Sequence, residues 1–408
     1  PRAALEAAWD TARTVAAEQI HQAERRWHAP TGMPGTIGVM PCHLPDDGRD
    51  PAIFTTKLVG VFSAARPAVN GLIAVQNATT GKPLATIDAA AVTAARTAAA
   101  SGLSVDLLAR SDAATVAIIG AGVQGWAHLQ SVQAVRAVTA VRIWNRSPRR
   151  AQAFASRARS LPGITSVEVC ATPAAATLQA DVVCVCTDSA TPLVHAADIR
   201  AGTHVTAVGA FRPDTRELAA DLIARADHLV VDDRAAAEHE AGDILLAIAD
   251  GVIGHHAVTA DLAQLVSGAV RINRQPGDVT VYKSVGTSAM DAVAVRHLLR
   301  ADASGRLAAY GTLAPGEANA RVLAGSGGTW RTGVVQGHRV EDGWEGYPGL
   351  QIGEGPEAGP VEVAVLDAEV LDWTAIEAFE GPGYRRRRTV VALHDGSAVL
   401  ANVFVLAR

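Results

Sequence analysis

The chain has 408 residues, 49% hydrophobic and 19% charged; this is more than one core needs, and it excludes intrinsic disorder. Its 36 Lys and Arg against 41 Asp and Glu give a formal charge of −5, which removes the electrostatic basis for nucleic acid or an anionic membrane as partner and leaves small molecules. The four cysteines, Cys42, Cys170, Cys184 and Cys186, are too few for a disulfide framework, no Cys-x-x-Cys pair offers a metal site, and no apolar run approaches the ~18 residues of a membrane helix.

An Ala-rich stretch predicts a helix over 5–22, and alternating apolar runs predict strands at 36–40, 55–62, 71–75 and 83–88, a strand-rich platform. Helical spacing resumes over 89–109 with Asp88 as the N-cap. Strands at 115–119, 140–144, 166–170, 182–186, 204–208 and 228–231 then alternate with helices starting near 124 and 149. That alternation implies a doubly wound parallel sheet of the α/β class. Cys184 and Cys186 are two apart on one strand, share a face and read as core. Helices at 235–249, 259–267 and 288–299 and a strand at 279–282 close this part. A polar hinge at 301–306 leads into a mixed, mostly β module with strands at 307–310, 333–339, 360–366, 389–393 and 398–406 and a helix near 373–379. The expected domains are 1–110 with 285–300 returning to it, 111–284, and 307–408 after the linker. The N-terminus lacks the charged-then-apolar order of a signal peptide, so a cytoplasmic protein is the expectation.

Gly120, Gly122 and Gly125 stand in G-x-G-x-x-G spacing directly after a strand and at a helix start. This is what a pyrophosphate cradle requires: a tight turn, a side-chain-free approach and close helix packing. The ribose-reading position, 20 residues after Gly125, carries Asn145, Arg146 and Ser147, with Arg149 and Arg150 close behind and no carboxylate. Arg146 can pair with a 2′-phosphate and Ser147 can donate to it, which favours NADP(H). Lys57 and Arg96 are cations inside small or apolar stretches. They are either structural ion pairs or a clamp for a substrate carboxylate.

At these residues the chain resembles the ornithine cyclodeaminase and mu-crystallin family over about 1–300. The resemblance is carried by Gly38-Val-Met-Pro41, Thr55-Thr-Lys-Leu-Val59, Thr80-Gly-Lys-Pro-Leu-Ala85, Arg96-Thr-Ala-Ala-Ala100 and Gly120-Ala-Gly-Val-Gln124, and by Val141-Arg-Ile-Trp-Asn-Arg146, Val208-Gly-Ala-Phe-Arg-Pro-Asp214, Arg216-Glu-Leu218, Glu240-Ala-Gly-Asp243 and Tyr282-Lys-Ser-Val-Gly286. It implies that Lys57, Arg96 and either Arg25 or Arg26 hold the substrate carboxylate, with Lys57 also a catalytic candidate. It further implies that Val123 and Gln124 join the glycines at the coenzyme, that Thr187, Val208, Lys283, Ser284 and Gly286 border the nicotinamide, and that the strand platform makes a homodimer. Where the cyclodeaminases carry a proton-handling Asp, this chain has Phe211, which cannot serve as a base. The resemblance is therefore to the branch that reduces ketimines and cyclic imino acids. Cyclodeamination, amino-acid dehydrogenation and coenzyme binding without turnover are the alternatives. Asp214, beside Pro213, reads as a helix cap rather than an acid catalyst.

In the last hundred residues, Tyr310-Gly311-Thr312-Leu313 follows a strand, and its loop can offer N–H groups to a carbonyl or carboxylate. Glu380 ends a helix among aromatic residues, where the helix dipole and its neighbours raise its pKa. With Gly346-Tyr-Pro-Gly-Leu350 and the stretch from Trp373 to Tyr384, these motifs resemble the gamma-glutamylcyclotransferase family. The resemblance implies release of a gamma-glutamyl amine's glutamyl group as 5-oxoproline, with Glu380 moving the proton and Tyr310 to Leu313 and Tyr384 binding substrate. Arg385 to Arg388 read as a solvated strand edge, in which Arg386 or a neighbour can meet the substrate carboxylate.

Overall fold

In the computed structural model, which describes residues 1–62, 65, 68–353 and 358–407, the N-terminal strands are β1 (His21–Gln22), β2 (Arg26–His28), β3 (Thr36–Leu44), β4 (Ile53–Val61), β5 (Val69–Asn77) and β6 (Pro83–Asp88). They form one sheet in the order β1-β3-β4-β5-β6, with β2 also on β3. Burial alternates along β4, so that Ile53, Thr55, Lys57 and Val59 share the buried face. The N-terminal helix α1 is Arg2–Ala16 and stops short of the expected 22, because Glu18 takes a positive φ of 54° and residues 21–22 pair as β1. Helix α2 (Ala89–Leu108) has the expected cap: Asp88 accepts from the backbone N–H groups of Ala90 and Ala91.

The β-branched runs that follow build an eight-stranded sheet from β7 (Thr115–Ile119), β8 (Ala140–Trp144), β9 (Ser166–Val169), β10 (Val182–Val185), β11 (His204–Ala207), β12 (His228–Val231), β13 (Ala260–Asp261) and β14 (Thr280–Lys283). The order is β13-β12-β14-β11-β10-β7-β8-β9, with every pair parallel. Strands β10, β11 and β14 are buried at every residue, as a parallel sheet covered on both faces requires. The strand order reverses at β7, which opens a crevice beyond the C-terminal ends of β7 and β10. Helix α3 (Val123–Val135) follows β7 and α4 (Pro148–Ala158) follows β8. Cys184 lies in the core cluster of Ile118, Val141, Ile143 and Phe154, and Cys186 packs against it.

The helix expected over 235–249 is two, Arg234–Glu240 and Gly242–Ala249. The chain breaks where Gly242 presses so closely on Thr215 that a Cβ would stand 1.9 Å from that residue's carbonyl oxygen. Helix α10, which we number after the shorter helices Pro173–Thr177 (α5), Ala220–Arg225 (α6), Arg234–Glu240 (α7), Gly242–Ala249 (α8) and Leu262–Ser267 (α9), runs from Ser288 to Asp302. It corrects the expected hinge at 301–306. A helical turn occupies Ala303–Gly305, Ala303 is fully buried, and Asn402 Nδ2 donates to the carbonyls of Ala303 and Arg306.

The C-terminal strands are β15 (Arg306–Ala309), β16 (Thr329–Val340), β17 (Gly349–Ile352), β18 (Gly359–Asp367), β19 (Tyr384–Leu393) and β20 (Ala398–Leu406), with helix α11 at Trp373–Glu380. The order β16-β18-β15-β20-β19 closes by pairing β19 back on β16, a five-stranded barrel with β17 added to β16. Val335, Leu350, Val365, Val391 and Val403 form one core there, and Leu307, Leu313, Leu366, Ile376 and Phe404 another.

By packing, the chain divides into two units: Pro1–Cys42, Lys57–Leu72 and Asp88–Ala294 in one, and His43–Thr56, Ile73–Ile87 and Val295–Arg408 in the other. Within the second unit Arg385 is exposed, as a solvated edge would be, but Arg386, Arg387 and Arg388 of β19 are half-buried and paired. Buried Asp50 accepts from Arg388 and, at 2.6 Å, from Arg300 Nε. Arg387 pairs with Asp46, and Arg300 and Arg296 reach Asp47 at 3.0 and 3.4 Å. Arg386 is held by Glu377 at 3.0 Å and lies over the Trp373 ring at 4.3 Å. Such long, costly-to-order cations are fixed because an acidic loop, residues 46–50, supplies their counter-charges. Among the described residues no helix is long and apolar enough to cross a membrane.

Candidate active sites

The glycine turn forms as its spacing demands. Gly120 has φ +107°, and a Cβ there would meet the Cys186 carbonyl oxygen at 2.4 Å; at Gly125 it would meet the Gly120 oxygen at 2.2 Å. A Cβ on Gly122 would meet nothing within 4 Å, so its open side faces the crevice at the N-terminus of α3, beside Val123 and Gln124. Backbone N–H groups with room before them fit a pyrophosphate. Asn145 Oδ1 accepts from the Ala121 N–H at 3.0 Å and so braces the turn. Arg146 is 84% exposed and 3.8 Å from Asp188, Ser147 is half-buried, and Arg149 and Arg150 are exposed at the start of α4. Thr187 follows β10 with its methyl carbon 3.1 Å from where a Gly120 Cβ would stand, and Val208 follows β11, half-buried.

Lys283, expected to border the nicotinamide with its neighbours, is instead fully buried, its ammonium 2.7 Å from the equally buried Asp243. A desolvated ammonium must take the nearest carboxylate, so its side chain is committed inward. Ser284 Oγ and the Gly286 N–H both donate to Asp232, at 2.7 and 2.6 Å, which curls this segment so that Gly286 lies against the Arg96 guanidinium.

Lys57 and Arg96 meet on one acid that the sequence reading did not find. Asp291, in the first turn of α10, accepts from Lys57 Nζ at 3.1 and 3.2 Å and from Arg96 Nε at 3.0 Å, and all three side chains are 7% exposed or less. Burial pushes the Lys57 pKa down to about 8 against the pull of Asp291. Burial also acts to raise Asp291, but the charges of Arg96 and Lys57 outweigh it and hold the carboxyl below its ordinary range. Of the two candidate arginines, Arg26 is exposed. Arg25 turns inward, donating to Glu240 at 2.6 Å and to the carbonyls of Val285 and Gly286 at 3.0 and 2.8 Å. Its guanidinium lies over the Trp27 ring, on which Phe211 stacks at 6.0 Å. Phe211 thus stands against Trp27, with no group that takes a proton. Asp214 caps no helix; it is exposed, 3.5 Å from Arg212.

In the barrel, Tyr310, Gly311, Thr312, Glu317, Arg339 and Glu362 line an open cleft of about 310 Å³. Leu313 is core. Tyr310 OH donates to the Phe404 carbonyl at 2.9 Å, and Tyr384 OH donates to those of Tyr347 and Pro348. Glu380, the last residue of α11, is pushed up to about 7 by burial; burial, and after it the charge of Glu380, raises the pKa of both Tyr310 and Tyr384.

Residues 307–408 match the sequence model of the gamma-glutamyl cyclotransferase, AIG2-like family, and the closed barrel is consistent with that domain. A Delta(1)-pyrroline-2-carboxylate reductase of Bacillus cereus is 34% identical over 233 residues, 57% of this chain and 71% of the relative. The ketimine reductase mu-crystallin of Mus musculus is 34% identical over 276 residues, 67% of this chain and 82% of the relative. Among solved structures, Thermococcus litoralis Delta(1)-pyrroline-2-carboxylate reductase in complex with NADH and L-proline superposes with a TM-score of 0.69 at 29% identity, covering 72% of this chain and 90% of that one. An archaeal alanine dehydrogenase dimer with bound NAD gives 0.67 at 27% identity, over 73% and 90%. With its glycine turn, its buried cations and a match to the family's sequence model over residues 4–311, the chain belongs to the ornithine cyclodeaminase/mu-crystallin family.

Proposed function

We propose that the first module reduces a cyclic imino acid or ketimine with NADPH and that the second releases a gamma-glutamyl group as 5-oxoproline. The observation that carries the first half is the buried cluster of Lys57, Arg96 and Asp291, with Arg25 beside it and the unreactive Phe211 stacked on Trp27. When bound, the coenzyme supplies a hydride. Gly122 and the N-terminus of α3 hold its pyrophosphate, and Arg146, Ser147 and Arg150 hold the 2′-phosphate. Lys57, Arg96 and Arg25 grip the substrate carboxylate, and Lys57 keeps a proton at Nζ near the imine. No residue at position 211 draws a proton from an incoming amine, so the reductive direction is the one served. NADPH oxidation with a panel of cyclic imino acids tests this. Lys57→Ala should lower kcat/KM about a hundredfold, the loss of one charge-assisted bond. A lower KM for NADH than for NADPH would overturn the coenzyme choice, and ornithine conversion with ammonia release would overturn the direction.

For the second half, Glu380 is the half-buried acid that takes and returns the proton while the substrate's own amine attacks the gamma-carbonyl. The amide C–N bond breaks, and a free amine leaves. Release of 5-oxoproline from gamma-glutamyl amines should vanish in Glu380→Gln. A gamma-glutamyl group on an amino-oxo acid blocks its cyclisation, so its removal would produce the imine that the first module reduces. Ile37, Leu58 and Leu72 are exposed on β3, β4 and β5 and support a homodimer, which light scattering tests. Four free cysteines fit a cytoplasmic location.

A further inference from the structure

Glu217 has no part in the chemistry above, yet it is completely buried and accepts from four donors. Its Oε1 accepts from the N–H and the hydroxyl of Thr187 at 2.7 and 2.6 Å, and its Oε2 accepts from the N–H groups of Gly209 and Ala210 at 2.6 and 3.2 Å. Thr187 opens the loop after β10, and Gly209 and Ala210 lie at the start of the loop after β11, so one carboxylate ties the two loops together where they leave the sheet, ahead of the backbone bridge between Val194 and Leu218. The junction is tight: a Cβ on Gly209 would meet the Thr187 carbonyl oxygen at 1.9 Å and Glu217 Oε1 at 2.6 Å. Thr187 in turn lies against Gly120, the first glycine of the coenzyme turn. From beneath, Asp243 Oδ1 accepts from the N–H groups of Glu217 and Leu218 at 2.7 and 2.8 Å while its other oxygen holds Lys283.

We propose that Glu217 is a positioning residue for the coenzyme: as a carboxylate it fixes the loops after β10 and β11 at the nicotinamide end of the crevice, so that coenzyme affinity depends on its ionisation. Four donors aim at it, and a protonated carboxyl must turn one oxygen into a donor that faces another donor. Burial raises its pKa to about 7 and Asp243 adds to the rise, while Lys283 and the two bonds from Thr187 oppose it; the Cys186 thiol, also facing it, is raised chiefly by burial, with smaller contributions from Cys184 and Glu217. Ionisation therefore changes near neutrality, and coenzyme binding should weaken as pH falls through about 7.

The test is the dissociation constant, read by fluorescence between pH 6 and 8.5, with both NADPH and NADH. The 2′-phosphate titrates near 6, but NADH lacks it, and protein and variant share it. Wild type should lose affinity about tenfold toward low pH. Glu217→Gln should bind about tenfold more weakly at pH 8 and show no inflection near 7. Thr187→Val keeps the methyl group against Gly120 and removes one donor to the carboxylate, so it should shift the inflection upward by about one pH unit; it reads the same residue if the glutamine variant fails to fold. Glu217→Gln affinity within twofold of wild type with the inflection retained, or an unmoved inflection in Thr187→Val, overturns the proposal. The inference rests on the dinucleotide site described above: wild-type protein that binds neither coenzyme would overturn both, whereas binding indifferent to Glu217 overturns only this one.

Discussion

Lys57 carries the sharpest consequence of a single side chain. Its pKa is pulled from 10.5 to about 8 by burial, so the ammonium proposed to grip a substrate carboxylate is lost above that pH. KM for the imino acid should therefore rise as pH passes 8, with the acidic side flat. Lys57→Arg, always charged, should remove the alkaline rise, although its larger head lowers kcat. Asp291 works through stability instead. Replacing it by Asn leaves two buried cations without their shared partner, which costs about 3–5 kcal/mol and should appear as a lowered urea midpoint with an unchanged slope. The sequence announced the cations, because a charge within an apolar stretch needs a partner. It could not announce Asp291, which lies 234 and 195 residues away from Lys57 and Arg96. The available signal was a lone acid in the apolar start of α10, Ser288-Ala-Met-Asp-Ala-Val-Ala294. Glu217 was quoted only as part of a motif, since its donors are backbone groups that every residue possesses.

At the scale of elements, the turn between β7 and α3 separates binding from folding. Gly122→Ala adds a methyl group to open space at an ordinary φ of −101°, so the melting temperature should hold while coenzyme affinity falls at least tenfold. Gly125→Ala drives a methyl group into the Gly120 oxygen and Ile118, so stability falls first. Calorimetry with and without NADPH distinguishes the two. This turn was legible because its glycines follow a continuous apolar strand, and β7, β8 and β12 begin and end at the residues their composition indicates. Short pieces were not legible: β17 has four residues and borrows its stability from pairing with β16, and α6 has six. In such segments tertiary contact decides, and local pattern carries too few residues to speak.

At the scale of the whole molecule, composition separated the dinucleotide fold from the barrel but hid the ion pairs that the second unit gathers from distant stretches. The pattern read 301–306 as a hinge because Asp302, Ser304 and Arg306 are polar; it could not see that acids at 46, 47 and 50 answer arginines at 296, 300, 387 and 388. Burial raises Asp50, but the bond from Arg388 and the charges of Arg300 and Arg388 outweigh it and leave the carboxyl below its ordinary value. Its contribution is therefore fully present above about pH 4 and is lost as pH falls through the depressed value. A double-mutant cycle of Asp50→Asn and Arg388→Gln should give a coupling of about 1–3 kcal/mol by urea unfolding at pH 7, and near zero at pH 2.

That acidic loop has a practical corollary for anyone wishing to transplant the barrel. Arg387 and Arg388 of its four-arginine run are neutralised by carboxylates borrowed from a distant stretch of the same polypeptide, so residues 307–408 joined to a different partner domain would arrive with naked positive charge along β19. A workable chimera must carry the 46–50 segment with it, or swap Arg387 and Arg388 for neutral residues in the same step.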